Sequence, residues 1–338
     1  MKETKHFRIA LIGCGAISGN HVRAILATRH TLVALCDIRP ERAHALIEQY
    51  ELGDLPIFTD YREMIDEIRP DAVHICTPHD LHAPMTVFAL ERDVHVLCEK
   101  PMCINPEQMA EIRQAAGTSR AQLGYCFQNR YEPNMIRLRE LAQKHGVKTA
   151  FGSVVWKRDA AYYATDAWRG TVAHEGGGVM INQAIHTLDI LQWICGEPTH
   201  VIAHVSNDCL QGVIEVEDTA SARFETADGT SFFIFATNTA GTSLPVELQV
   251  RLSDGTNLVA QNKHFVCNNE LETRRETPDA QIGKSVWGKG HTALVRDFYT
   301  CIEDENPFPI GVDEGARAVR MILAMYRSNG QRVEIPKI

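Results

Sequence analysis

"FRIALIGCGAISGN", residues 7–20, decides how the rest of the chain is read. A short apolar run stops at a glycine-rich turn, and the residues after the turn open a helix. That is the setting a dinucleotide fingerprint requires. Gly13 makes the tight turn, and Gly15 lets the backbone approach a pyrophosphate held at the helix N-terminus. Ser18 stands where the third glycine belongs, with Gly19 directly after it. Gly13, Gly15, Ala16 and Ile17 are therefore the candidate cofactor contacts of this turn.

About twenty residues on, the second apolar run "TLVALCD" (31–37) ends on Asp37, followed by Ile38 and Arg39. A carboxylate at that point can accept both ribose hydroxyls and repels a 2′-phosphate, so the expected cofactor is NAD. Arg39 keeps NADP open, because a guanidinium can meet that phosphate. Further apolar runs at 71–78, 94–101 and 121–127 alternate with helical stretches near 17–29, 40–52, 61–68, 80–92 and 105–117. Continuous apolar runs are what strands buried on both faces of a parallel sheet look like. Their alternation with helices predicts an α/β fold, a Rossmann-type doubly wound parallel sheet, over residues 1–130.

The texture changes after about 147. Long alternating segments, including "HVIAHVSND" (200–208) and "SFFIFATNT" (231–239), are punctuated by Asp-Gly at 228–229 and 254–255. They predict an open antiparallel sheet in an α+β second domain, 131–338. A helix near 177–195 interrupts it. Two closing helices, able to pack back on the first domain, and a short strand "QRVEI" (331–335) complete it.

At 338 residues the chain has room for two cores. Its 43 acidic against 34 basic side chains give a formal charge of −9, which disfavours nucleic acid and anionic membrane surfaces as partners. The N-terminal apolar run is too short for a signal peptide, and no run reaches the length of a membrane span. A cytoplasmic protein is expected. The ten cysteines show no C-x-x-C pair and are read as small buried residues, with no metal bound.

"CTPHDLHAP" (76–84) puts Thr77, Pro78, His79 and His82 at the carboxyl edge of the sheet, where open α/β sheets bind ligands. His74, His79 and His82 lack a dependable metal-ligand spacing, so loop histidines beside a nucleotide are the simpler reading. "CEKP" (98–101) ends the next strand on the same edge. The residue before a proline is held extended, so Lys100 is aimed rather than curled back. A surface pair with Glu99 is a poor account of it, since neighbours on an extended chain point to opposite sides.

The second concentration of signal is "HEGGGVMINQAIHTLDILQWICGEP" (174–198). Asn182, His186 and Asp189 fall on one side of a helix, and three preceding glycines would give a ligand close access to the helix start. Asp189 either orients the imidazole or serves another group.

With these motifs in this order, the chain resembles the family of glucose–fructose oxidoreductase and inositol 2-dehydrogenase, over nearly its whole length. The resemblance implies that Lys100, with Glu99 beside it, lies near the nicotinamide and the reacting hydroxyl, and that His186 is the proton acceptor. It implies dimer or tetramer contacts through the open sheet. Where many members carry an aspartate this chain has Asn182, an amide that can hydrogen-bond a hydroxyl but not relay a proton. Gln128, in "GYCFQNRYEP" (124–133), matches the boundary between cofactor and substrate. Tyr163, Trp168 and Arg169, in "KRDAAYYATDAWRG" (157–170), suit a sugar's apolar face and polar groups, or else form a subunit contact.

The implied activity is NAD(P)-dependent hydride transfer to or from a secondary hydroxyl of a sugar, cyclitol or sugar derivative, in a cleft between the two domains. Two other readings compete with it. One is a ligand-sensing regulator that binds dinucleotide without turnover, and the other is a redox-recycling enzyme with tightly held NAD.

Overall fold

The computed structural model describes residues 5–261, 264–272 and 290–337. The chain divides into two units, residues 1–128 with 289–315, and residues 129–288 with 316–338.

The first unit carries β1 (Arg8–Ile12), α1 (Ser18–Leu26), β2 (Thr31–Cys36), α2 (Pro40–Tyr50), β3 (Ile57–Phe58), α3 (Tyr61–Ile68), β4 (Ala72–Ile75), α4 (His79–Leu90), β5 (His95–Cys98), α5 (Pro106–Thr118) and β6 (Leu123–Tyr125). Its sheet is parallel, with strand order β3-β2-β1-β4-β5-β6. The order reverses between β1 and β4, the switch point at which such sheets bind dinucleotides. Ile9, Leu11 and Ile12 on β1 are 0–1% exposed, as the continuous apolar run requires. β3 is the strand that sequence patterning passed over: two residues, Ile57 and Phe58, are too short to show a period.

Local signals explain the helix starts. Pro40 and Pro106 occupy first-turn positions, Asp60 accepts from the Arg62 amide at 2.7 Å, and Asn105 accepts from the Gln108 amide at 2.9 Å. α4 begins one residue before the expected Asp80, with Pro78 ahead of it.

The second unit contains α6 (Pro133–His145), β7 (Val147–Val155), α7 (Ala160–Tyr163), α8 (Ile185–Cys195), β8 (Pro198–Ser206), β9 (Thr219–Thr226), β10 (Ser231–Thr237), β11 (Glu247–Leu252), β12 (Asn257–Gln261), β13 (Phe265–Cys267) and β14 (Glu270–Leu271). Later in the chain come α9 (Gly290–Glu303), which belongs to the first unit, α10 (Val312–Ser328), within which the unit boundary falls, and β15 (Val333–Glu334) of the second unit.

The nine strands of this sheet run β14-β13-β12-β11-β7-β10-β9-β8-β15. Every pairing is antiparallel except β7 with β10, so the sheet is mixed rather than a set of hairpins alone. Gly229 and Gly255 make the two Asp-Gly turns with φ of +86° and +92°, a region closed to most side chains. α8 lies directly on β7, where a Cβ on Gly152 would come within 2.7 Å of the Thr187 side chain. On β10, Phe232, Ile234 and Ala236 are buried on that side, while Phe233 and Phe235 are each 38% exposed on the other.

All ten cysteines are free and seven are buried. No helix among the described residues is long and apolar enough to cross a membrane.

Candidate active site

The glycine-rich turn is built by steric necessity. Gly13 has φ +89°, and a Cβ there would sit 2.6 Å from the Cys76 carbonyl oxygen at the end of β4. Any side chain would therefore push β1 and β4 apart. Gly15 meets nothing nearer than Arg42 at 4.0 Å, so its face is open to an approaching ligand. Ser18 compensates for the missing third glycine by turning its hydroxyl back to donate to the Gly15 carbonyl at 2.6 Å, and it is fully buried. Ala16 and Ile17 lead into α1.

Asp37 is held against this turn. Its Oδ2 accepts from the Cys14 amide at 2.8 Å and its Oδ1 from the Arg39 amide at 2.9 Å. Ile38 beside it is 81% exposed. Each carboxylate oxygen keeps a further lone pair for a hydroxyl donor.

Along the same carboxyl edge, Thr77 is half-buried, Pro78 precedes α4, and His79 and His82 are buried. His82 Nδ1 lies 2.7 Å from the Pro101 carbonyl and Nε2 2.9 Å from the Thr77 carbonyl. His74 is engaged elsewhere, by His21 and Tyr299. The three histidines weighed above do not converge on one point. Glu99 is buried and accepts from the Lys100 amide through Oε2 at 3.2 Å, while Lys100 itself is half-buried. Gln128 is buried in a short 3-10 turn, 128–131.

In the second unit the triple glycine differs from expectation. A Cβ on Gly177 would overlap the Tyr326 hydroxyl at 2.0 Å, and one on Gly178 the Glu217 carbonyl at 1.8 Å. These glycines let protein, rather than ligand, pack against the helix start. The helix opens with a π-turn, Met180–Ala184, and becomes α-helical only at Ile185. Glu217 anchors that opening: its carboxylate accepts from the Gly178 and Met180 amides at 2.8 and 3.0 Å and from the Tyr326 hydroxyl at 3.0 Å.

Asn182 lies in the π-turn and its amide donates to Glu175, whose other oxygen accepts from the Gly170 amide. Burial pushes the Glu175 carboxyl up to about 6 against the pull of those donors. Because its folded value is raised, the folded chain gains stability from this group as pH falls through 6 toward the ordinary carboxylate range. His186 is 6% exposed in the first turn of α8.

Asp189 serves Arg130. Its oxygens pair with Arg130 at 2.8 and 2.6 Å, both side chains buried, tying the chain before α6 to α8. Removing one partner of such a pair costs about 3–5 kcal/mol, because the other charge stays buried. Asp189→Ala is accordingly expected to lower the unfolding free energy by about that much in urea titrations. A loss below about 1 kcal/mol would deny the pair its structural role.

Tyr163 is buried against Leu210, Ile214 and Val216, and its hydroxyl accepts from Asn238 at 3.0 Å. Tyr162 is the more open of the two tyrosines. Arg169 donates to its hydroxyl at 2.8 Å and stacks on both Tyr162 and Trp168, 4.8 and 4.6 Å from the ring centres. Glu175, Glu217 and Arg130 escape pattern reading, since a lone carboxylate or arginine in a loop carries no spacing signal. The expected residues thus gather as two sets, one on the Rossmann edge of the first unit and one around the π-turn of the second.

Residues 7–127 match the family described as "Oxidoreductase family, NAD-binding Rossmann fold", and residues 145–257 match the "GFO/IDH/MocA C-terminal domain". D-glucoside 3-dehydrogenase of Escherichia coli K12 is 27% identical, with 97% of each chain covered. Inositol 2-dehydrogenase of Rhizobium meliloti is 26% identical over 97% of this chain and 98% of its own. Among solved structures, the WlbA dehydrogenase of Bordetella pertussis in complex with NADH and UDP-GlcNAcA superposes with a TM-score of 0.87 at 25% identity, covering 99% of both chains.

Proposed function

Since the chain belongs to the GFO/IDH/MocA family of NAD-binding oxidoreductases, we propose that it moves hydride between nicotinamide and a secondary hydroxyl of a sugar, cyclitol or sugar derivative. The single observation that carries this reading is the end-to-end similarity to a D-glucoside 3-dehydrogenase. Residues 1–130 act as the cofactor-binding domain and 131–338 as the substrate-binding and assembly domain. NAD is the cofactor, bound by the Gly13–Ile17 turn, the Asp37–Arg39 strand end and the edge formed by Thr77 to His82, Glu99 and Gln128.

The chemistry needs a base for the hydroxyl proton and a cation to steady the developing alkoxide. His186 supplies the first, as an imidazole can at neutral pH. Lys100 supplies the second, its direction restricted by Pro101 and by the Glu99 carboxylate that holds its amide. Asn182, oriented by one amide N–H donated to Glu175, hydrogen-bonds a substrate hydroxyl. Trp168 and Arg169, with Tyr163 behind them, form the sugar-facing wall. Ten free cysteines fit a reducing, cytoplasmic setting.

A screen of free sugars, glycosides, inositols and sugar acids with NAD and NADP, followed by absorbance of the reduced cofactor, tests the function. Reduction with at least one glycoside or cyclitol is expected. No reduction with any of them, together with tight dinucleotide binding, would favour a regulator.

The exposed Phe233 and Phe235 at the centre of the open sheet face supply the contact with a second copy. Phe235→Glu is expected to turn a dimer or tetramer into smaller species in sedimentation. An unchanged mass would remove this face from the assembly.

A further inference from the structure

One buried chain of hydrogen bonds in the first unit ends on Glu99, and its other three members play no part in the roles above. Tyr299 Oη lies 2.9 Å from His74 Nε2, His74 Nδ1 lies 2.9 Å from His21 Nδ1, and His21 Nε2 lies 3.0 Å from Glu99 Oε1. None of the four is more than 5% exposed. Four separate elements supply them: α9, β4, α1 and the end of β5.

The direction of every bond follows by elimination. Burial holds both imidazoles below their usual range, so each is neutral and carries one N–H. Burial pushes the Glu99 carboxyl up, but donation from His21 and from His291, 3.1 Å away, outweighs it, and the group lies well below the usual carboxylate range. An ionised Glu99 only accepts, so the His21 proton is on Nε2 and its Nδ1 is bare. His74 must then donate through Nδ1, which leaves its Nε2 to accept from the Tyr299 hydroxyl. All three bonds point the same way, and donors aligned in series strengthen one another.

We propose that this chain makes Glu99 a fixed negative charge beside Lys100, and that the charge favours the oxidised, cationic nicotinamide over the reduced, neutral one. His21, His74 and Tyr299 are then positioning residues for the cofactor's redox preference. The inference rests on the placement of the Glu99–Lys100 segment at the nicotinamide given above. The other titratable groups facing Glu99 are His82 on α4, Cys76 after β4, Cys98 on β5 and Cys126 after β6. Burial pushes the three thiols up, so they carry no charge near neutrality, and it pulls the His82 imidazole down against the two carbonyl oxygens that face its ring nitrogens.

The test is the ratio of dissociation constants for NAD and NADH, measured by calorimetry on the intact protein. Glu99→Gln is expected to raise Kd(NAD)/Kd(NADH) by about tenfold, the scale of one lost charge interaction near a protein surface. Tyr299→Phe keeps the ring, which stacks on Phe7 and His74, and removes only the terminal donor. It is expected to shift the ratio by about threefold in the same direction, because losing the terminal donor weakens the polarisation of the two imidazoles and so the His21 donation to Glu99.

A ratio within twofold of wild type for both variants overturns the proposal, even where Lys100→Met still abolishes turnover and leaves the functional reading intact. Loss of the functional reading instead would show as full turnover by Lys100→Met, whatever the ratio. One atom each of His21, Glu99 and Cys126 also lie within 4.8 Å of one another. Stoichiometric zinc in the purified protein, lost in His21→Ala, would likewise overturn the relay, since a metal on Nε2 excludes its proton.

Discussion

Replacing Lys100 with methionine is expected to lower kcat/KM by about a thousandfold or more, with NADH affinity changed by less than about threefold. Methionine keeps most of the length and apolar stem of lysine while deleting the ammonium. A cation aimed at a developing alkoxide in a water-poor site contributes several kcal/mol to the transition state, and a thousandfold corresponds to about 4 kcal/mol. Lys100 is suited to that task by its surroundings. It lies two residues past the buried strand β5, Pro101 disfavours a helical bend, and its amide is tied to the Glu99 carboxylate. Turnover within about tenfold of wild type, an effect under roughly 1.4 kcal/mol, would remove Lys100 from the reacting centre.

His186→Asn is expected to reduce kcat by about 10²–10⁴-fold, the range that a positioned general base contributes. The distinguishing signature is the pH profile. Wild-type kcat/KM for oxidation should fall on the acid side through one ionisation, as protonation disables the base. In His186→Asn that limb should disappear and the residual rate should climb with hydroxide. Asparagine keeps a polar, hydrogen-bonding side chain in the buried first turn of α8, so melting should change little. A kcat within about fivefold of wild type, or an acid limb that survives the substitution, would assign the proton to another group.

Much of the first unit was legible because its signals are local. A continuous apolar run, a turn that only glycine can make and an acid at the next strand end are each short-range consequences of a parallel sheet. Gly13, Asp37 and the β5 end carry that logic, and each stands at the carboxyl edge as expected. β3 escaped because two residues have no period. In the second unit, alternation and Asp-Gly turns revealed strands, yet nothing in them marks β7 and β10 as a parallel pair. That pairing joins strands more than seventy positions apart and is settled by which faces pack on α8.

The helix of the second unit shows the limit most clearly. Its motif residues were apparent, but a strict 3.6-residue period was assumed for Asn182, His186 and Asp189. The π-turn at Met180–Ala184 changes that geometry, Asp189 is committed to Arg130, and Asn182 to Glu175. None of these partners is close in the chain to the residue it serves, apart from Glu175.

The amino-acid sequence by itself determined the doubly wound cofactor fold, the class of cofactor and the residues placed at the sheet's carboxyl edge. Those are set by backbone sterics and by short-range apolar patterning. Only the tertiary structure decided why Gly177 and Gly178 must be glycine, which charge Asp189 neutralises and how three buried side chains, His21, His74 and Tyr299, line up on Glu99. Burial removes water as a partner, so each of these polar groups must find another wherever the fold brings one within about 3 Å.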